Sequence, residues 1–199
     1  MIGLQKFPRL PQLTLALIVL SIVITFVTDF GKSENSAMFM ISRIASPSVY
    51  LYEVSQGDVW RLLTPIFIHL SYIHIIFNMM WLWDLGGTIE TLEGRLNIFS
   101  QVVVYGIVGN LAQYTFSGPL FGGMSGVVYG LLAYVWVQGK FNPRFGASLP
   151  KEIVYMMLIW YFICWTGLLG PIANMAHTGG LVTGLIFGFV HVKIVANKL

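Results

Sequence analysis

The sequence predicts an all-α membrane protein: six transmembrane helices, a short fourth helix that begins inside the membrane, and a long first outside loop. Three observations carry this prediction. Of the 199 residues, 56% are hydrophobic and only 10% charged, where a soluble domain carries about 25% charged residues. Apolar stretches close to the roughly 20 residues that a bilayer demands recur along the chain. The lysines and arginines gather on one side of those stretches, as the positive-inside rule requires. The same composition sets other classes aside. The net charge of +3 comes without a basic run or an aromatic-interleaved patch, so nucleic acid is not an expected partner. The single cysteine, Cys164, lies in an apolar stretch and has no partner for an internal disulfide.

The first span is expected over residues 13–30, LTLALIVLSIVITFVTDF, preceded by Lys6 and Arg9. Its apolar core exceeds the usual 7–15 residues of a signal-peptide h-region. The next element is a loop over residues 31–68, too long for a hairpin, which carries Trp60-Arg61 and several aromatics. Further spans are expected over 69–87, 96–116, 125–139, 153–168 and 174–192. With the N-terminus inside, the cytoplasmic segments hold Lys6, Arg9, Arg95, Lys140, Arg144, Lys151, Lys193 and Lys198. The outside segments hold only Lys32, Arg43 and Arg61, which puts both termini in the cytoplasm. The fourth span is the odd one. Its 15 or so residues reach roughly 22 Å, short of a hydrocarbon core of about 30 Å. Irregular backbone at membrane depth persists only when buried in protein or lining a wet cavity. The glycine-rich SGPLFGG before it is therefore expected to dip into the bundle, leaving Ser125 below the outer surface in a pocket that water enters.

Ser125 in GMSG sits at a helix N-terminus, where unsatisfied N–H groups and the dipole favour negative charge. A serine attacking a carbonyl generates an oxyanion that needs such donors, and Gly122 and Gly123 let backbone come close. The pattern is not the strand-borne G-x-S-x-G of soluble hydrolases. Taken alone, the tetrapeptide is read as readily as a helix cap or a small packing residue.

The segment ANMAHTGGLVTGLIFG shifts that balance. It places His177 near the outer end of the sixth helix, and ionisable groups in a membrane are costly and usually functional. Ala176, Gly180, Gly184 and Gly188 recur every four residues, a stripe that permits close helix contact. His177 shares a face with Gly180 and Gly184, so it can be held tightly against another helix and exchange a proton with a serine there. The plain alternative is a histidine bonded to a backbone carbonyl. In HLSYIHIIFNMMW, His74 and Asn78 share one helix face and can donate toward one point, as an oxyanion hole requires, or simply bond across helices. Three imidazoles (His69, His74, His177) would suit zinc. However, no H-E-x-x-H occurs, and His69 and His74 diverge by about 140° around a helix, so no metal or other cofactor is expected.

These motifs together resemble the rhomboid intramembrane serine proteases, bacterial GlpG type. The resemblance rests on Trp60-Arg61, His74 and Asn78, Gly86-Gly87 and Glu90, GMSG at 123–126 and A-H-x-x-G-x-x-x-G from Ala176 to Gly184, and it covers essentially the whole chain. It implies Ser125 as nucleophile and His177 as general base, without an acidic third member. It also implies an oxyanion hole of Asn78, His74 and the Ser125 N–H. Tyr129 would lie beside the His177 ring, where the residues alone read as helix packing. Gly123 and Gly126 would support the site. Trp60, Arg61, Glu90, Gly180 and Gly184 would be structural, with Arg61 bonding inside a partly embedded first loop. The aromatic fifth helix would resemble a mobile gate, although its aromatics equally suit lipid anchoring.

The resemblance further implies transmembrane proteins as substrates, the bilayer as a partner, a bacterial inner-membrane location with the site opening outward, and a monomer sufficient for the chemistry. Two features depart from the pattern. Only about a dozen residues precede the first span, as in a core-only member without a soluble N-terminal domain. Asp84 stands in the second helix about 15 Å along the axis from His74, near the cytoplasmic boundary and within expected reach of Arg95. Two other functions compete: an inactive client-binding relative, which generally lacks the Ser–His pair, and a transporter, which would show repeated broken helices.

Overall fold

A computed structural model describes residues 10–43 and 49–196, and the described residues contain helices and turns but no strands. Lys6, Arg9 and Lys198, which enter the orientation argument, lie outside them. The long helices are α1 (Gln12–Val27), α2, α3 (Arg95–Ser117), α4 (Ser125–Phe141), α5 (Lys151–Trp165) and α6 (Asn174–Ala196). Helix α2 comprises Tyr72–Trp81, a π-helical turn at Leu82–Gly86 and Gly87–Glu93.

Helix α1 is inverted relative to a soluble helix. Its buried face carries Thr14, Ser21 and Thr25, while Val19, Leu20, Ile22, Val23, Phe26 and Val27 are exposed. Apolar atoms turned outward are stable where the surroundings are lipid. The N-terminal N–H groups of α1, which lack intrahelical partners, are met by Glu90 of α2. Its carboxylate accepts from Leu13 N at 2.9 Å, Thr14 N at 2.8 Å and Thr14 Oγ1 at 2.8 Å. The helix stops short of residue 30 because Asp29, Phe30 and Gly31 all take positive φ, the left-handed geometry that ends helices.

The described residues between Lys32 and Ile68, 32–43 and 49–68, form short 3₁₀ and α turns rather than an open loop. Arg61 is fully buried at its centre. Its Nε donates to Asp58 Oδ2 at 2.8 Å, and its Nη1 to the carbonyls of Ala37 and Met40 at 2.7 and 3.0 Å. Trp60, beside it, is exposed. Helix α2 starts at Tyr72, not at His69, because Ser71 caps it by accepting the His74 N–H. His69 thereby falls in the preceding turn. Asp84 lies buried on the π turn, and Arg95 approaches Glu90 at 3.8 Å instead, so the expected Asp84–Arg95 pairing is not formed.

Helix α4 is the centre of the bundle, with twelve of its seventeen residues buried. Helix α6 lies against it through glycines. A Cβ on Gly180 would overlap the Gly126 carbonyl, and one on Gly184 the Gly130 carbonyl. A Cβ on Gly188 would stand 2.7 Å from Val137 Cβ. The four-residue stripe on α6 is therefore consumed by contact with α4. Helix α5 is held far less: only Met157 and Cys164 are buried, and Tyr155, Trp160, Phe162 and Trp165 are exposed. Within α6, the 22 residues Asn174–Val195 are long and apolar enough to cross a bilayer by those criteria alone. The apolar α1 is shorter.

Candidate active site

Ser125 opens α4, and the backbone before it is fixed from two sides. The Gly123 N–H donates to the Pro65 carbonyl at 3.0 Å, and the Met124 N–H donates to His69 Nε2 at 3.3 Å. Gly123 has φ 127°, a conformation that side-chain-bearing residues avoid. Space forbids a side chain as well, since a Cβ there would lie 2.6 Å from Cε1 and Nε2 of His74. Glycine at 123 thus lets the His74 ring sit directly against the turn that delivers Ser125.

Helix α6 brings His177 to the same point, its Nε2 standing 2.8 Å from Ser125 Oγ. The imidazole is 5% exposed. Tyr129, one turn beyond Ser125, lays its ring 4.8 Å from the His177 ring at 40°. The Tyr129 hydroxyl donates to the Met157 carbonyl of α5 at 3.2 Å, and the edge of Tyr161 packs on it at 5.6 Å. The Tyr161 and Thr178 hydroxyls are 2.7 Å apart. Thr178 donates its single proton to the Asn174 carbonyl, so Tyr161 is the donor to Thr178. The start of α6 is further held by Gln113 of α3, whose Oε1 accepts from Met175 N at 3.0 Å and Ala176 N at 3.3 Å.

His74 Nδ1 accepts the Leu70 N–H at 3.4 Å. That leaves Nε2 as the protonated nitrogen, and Nε2 lies with Cε1 on the ring edge turned toward Gly123. Asn78 is buried one turn further on and uses one amide N–H on the His74 carbonyl at 2.9 Å. Ser125, His177, Tyr129, Gly123, His74 and Gly126 therefore converge at one end of the bundle. Asn78 follows them on the same face of α2. Trp60 and Arg61 belong to the folded loop, Glu90 of α2 holds the start of α1, and Gly180 and Gly184 belong to the α4–α6 contact.

Two residues that position this centre were not singled out for that role by the sequence. His69 holds the Met124 N–H through Nε2 while its Nδ1 lies 3.2 Å from the Phe67 carbonyl. The available signal was a second polar residue just outside the H-x-x-x-N helix, but its partner is more than fifty residues away. Gln113 is the other, a buried amide on an apolar helix, and buried amides need partners.

The Ser125 hydroxyl therefore meets a buried imidazole at the start of the central helix of a helical bundle, a pair of the kind that serine hydrolases use. The sequence comparisons agree. Residues 56–194 match the family model for the Rhomboid domain. The chain is 34% identical over 194 residues to the Rhomboid protease GlpG of Klebsiella pneumoniae strain 342, covering 94% of this chain and 68% of that protein. It is 34% identical over 175 residues to the Rhomboid protease GlpG of Salmonella paratyphi A, covering 87% of this chain and 61% of that protein. The GlpG protein of Salmonella typhi matches to the same extent. The chain belongs to the rhomboid family, and by that membership it is a serine protease.

Proposed function

We propose that the chain is a six-span intramembrane serine endopeptidase that cleaves transmembrane or juxtamembrane segments of other membrane proteins near the outer leaflet. The observation that carries the reading is the 2.8 Å contact of Ser125 Oγ with His177 Nε2 at the start of α4. In the first step His177 Nε2 takes the Ser125 proton while Oγ attacks the scissile carbonyl. The resulting oxyanion is met by the Ser125 N–H, freed at the helix start, by His74 Nε2–H and by an Asn78 amide N–H. His177 then protonates the departing amine, and water hydrolyses the acyl-enzyme by the reverse proton path. The substrate helix unwinds locally first, because helical carbonyls are already hydrogen-bonded.

The membrane arrangement has its own support. The 17 residues of α4 reach only about 25 Å, so its N-terminus lies below the surface of a core about 30 Å thick. The bias of lysine and arginine supports cytoplasmic termini with the centre opening outward, and the family supports a bacterial inner membrane. Every proposed reacting group belongs to one chain, so a monomer suffices.

A fluorophosphonate probe tests the assignment. We expect the purified protein in detergent to be labelled, and the Ser125→Ala and His177→Ala variants to lose both labelling and cleavage of a model transmembrane substrate. Labelling that persists in Ser125→Ala removes Ser125 as nucleophile. Substrate binding without labelling or cleavage in the unmodified protein would instead describe a client-binding relative.

A further inference from the structure

Four buried side-chain polar atoms among the described residues have no hydrogen-bond partner: Gln101 Oε1, Tyr105 Oη, Asn174 Oδ1 and His177 Nδ1. They form two sets, each joining an acceptor to a donor one turn away on the same helix. Side chains three or four residues apart share a helix face with Cβ atoms roughly 5–6 Å apart. The Asn174–His177 set stands at the reacting centre. For His177 Nε2 to accept the Ser125 proton, the neutral ring must carry its own proton on Nδ1, so the orphaned Nδ1 is a donor. The Asn174 amide is oriented by its other arm, Nδ2, which donates to the Cys164 carbonyl at 3.0 Å. That contact identifies the orphaned atom as the oxygen.

No neighbouring oxygen stands within hydrogen-bond distance of His177 Nδ1. The Tyr129 and Tyr161 hydroxyls are turned to Met157 and Thr178, and Gln113 Oε1 on α3 takes the N–H groups of Met175 and Ala176. His74 on α2 faces Gly123. We infer that Asn174 is a positioning residue whose Oδ1 receives His177 Nδ1–H, after a small side-chain rotation or through one bridging water, making the centre a Ser125–His177–Asn174 relay. The inference rests on the dyad reading above. Its chemistry is neutral orientation. Asn174 fixes the tautomer and ring plane, and the bond becomes charge-assisted when Nε2 takes the proton. A contact that strengthens in the transition state raises kcat rather than substrate binding.

The test separates the acceptor from the tether to Cys164. Asn174→Leu removes both, whereas Asn174→Asp keeps an acceptor and lacks any amide N–H. For a model transmembrane substrate, we expect Asn174→Leu to lose roughly 10- to 100-fold in kcat, the worth of a hydrogen bond to a charged group. KM should stay within about twofold, and Asn174→Asp should keep most of the wild-type kcat. Asn174→Asp as poor as Asn174→Leu would overturn the relay while leaving the dyad standing. Labelling that survives Ser125→Ala would remove the dyad and the relay together. Proton–nitrogen NMR of histidine-labelled wild-type protein gives a second readout that needs no folded variant. A downfield, slowly exchanging Nδ1–H of His177 is expected, and a ring protonated on Nε2 instead refutes the inference.

Discussion

His69 shows how one side chain governs a centre it does not join. Its Nε2 is the acceptor for Met124 N–H, one residue before Ser125, and its Nδ1 is bracketed by the Phe67 carbonyl and Thr25 Oγ1. A fully buried imidazole so placed fixes the turn from Phe121 to Met124, and with it the direction of the Ser125 N–H. Removing the acceptor leaves a buried N–H unmet, at a cost of about 1–3 kcal/mol. His69→Leu is therefore expected to slow cleavage about tenfold or more and to lower the thermal midpoint in detergent. His69→Gln, whose amide oxygen also accepts, should recover part of both. Equal losses in the two variants would mean that the ring's shape, not its hydrogen bond, holds the turn.

Among the elements, α4 and α6 form the rigid pair. The backbones touch along Gly126–Gly180 and Gly130–Gly184, which fixes Ser125 relative to His177 as close packing fixes any interior. A larger residue in this seam cannot be absorbed by rotamers, because the obstacle is a backbone carbonyl. Gly184→Val should destabilise by at least the 1–3 kcal/mol or so typical of overpacking and abolish fluorophosphonate labelling, read as folded fraction against denaturant in micelles. Gly94, with φ 87° and open space around its Cβ position, is a contrasting case. Gly94→Asn should lose about 1–3 kcal/mol through backbone strain alone, because φ 87° with ψ 170° is a conformation kept almost entirely to glycine, while fluorophosphonate labelling of the folded fraction should survive. Helix α5 behaves differently from both partners. It is tied to the centre by hydrogen bonds at Met157, Tyr161 and Cys164 rather than by interlocked surfaces.

Over the whole molecule, buried charged groups hold the first helix in place and the loop after it in shape. Glu90 holds the start of α1, Arg61 gathers Ala37, Met40 and Asp58, and Glu53 accepts from Ser42 Oγ and Arg43 N, each at 2.7 Å. Burial alone would raise the Glu53 pKa, but those hydrogen bonds and the Arg61 charge outweigh it and hold the carboxyl below its ordinary 4.5. The sign follows from linkage: a group depressed in the folded state stabilises fully above its unfolded value, and that stabilisation disappears as pH falls through the folded value. The thermal midpoint of the wild type should therefore fall on acidification below about pH 4.5 more steeply than that of Glu53→Gln. Parallel curves would assign the acid sensitivity to other groups.

Much of this protein was legible in the sequence because its constraints are local or compositional. Apolar composition announces a helical membrane protein, and small residues every four positions mark a helix seam. H-x-x-x-N, GMSG and A-H-x-x-G carry the proposed site residues in chain order. What the sequence left open depends on partners remote along the chain. His69 reads as the first residue of a helix or as a metal ligand until the turn from Phe121 to Met124 is folded against it. Asp84 reads as a partner for Arg95 until the fold brings that arginine to Glu90. Asn174 is an ordinary helix-start residue until Cys164 fixes its amide and the buried His177 Nδ1 is found one turn away. The sequence by itself determined the helical membrane class and, through its resemblance to the rhomboids, which residues are expected to react, because ionisable types such as His177 are too costly in a membrane to be retained idly. Only the tertiary structure decided how Ser125 meets His177, because a hydrogen bond of 2.8 Å depends on two helices approaching to backbone contact.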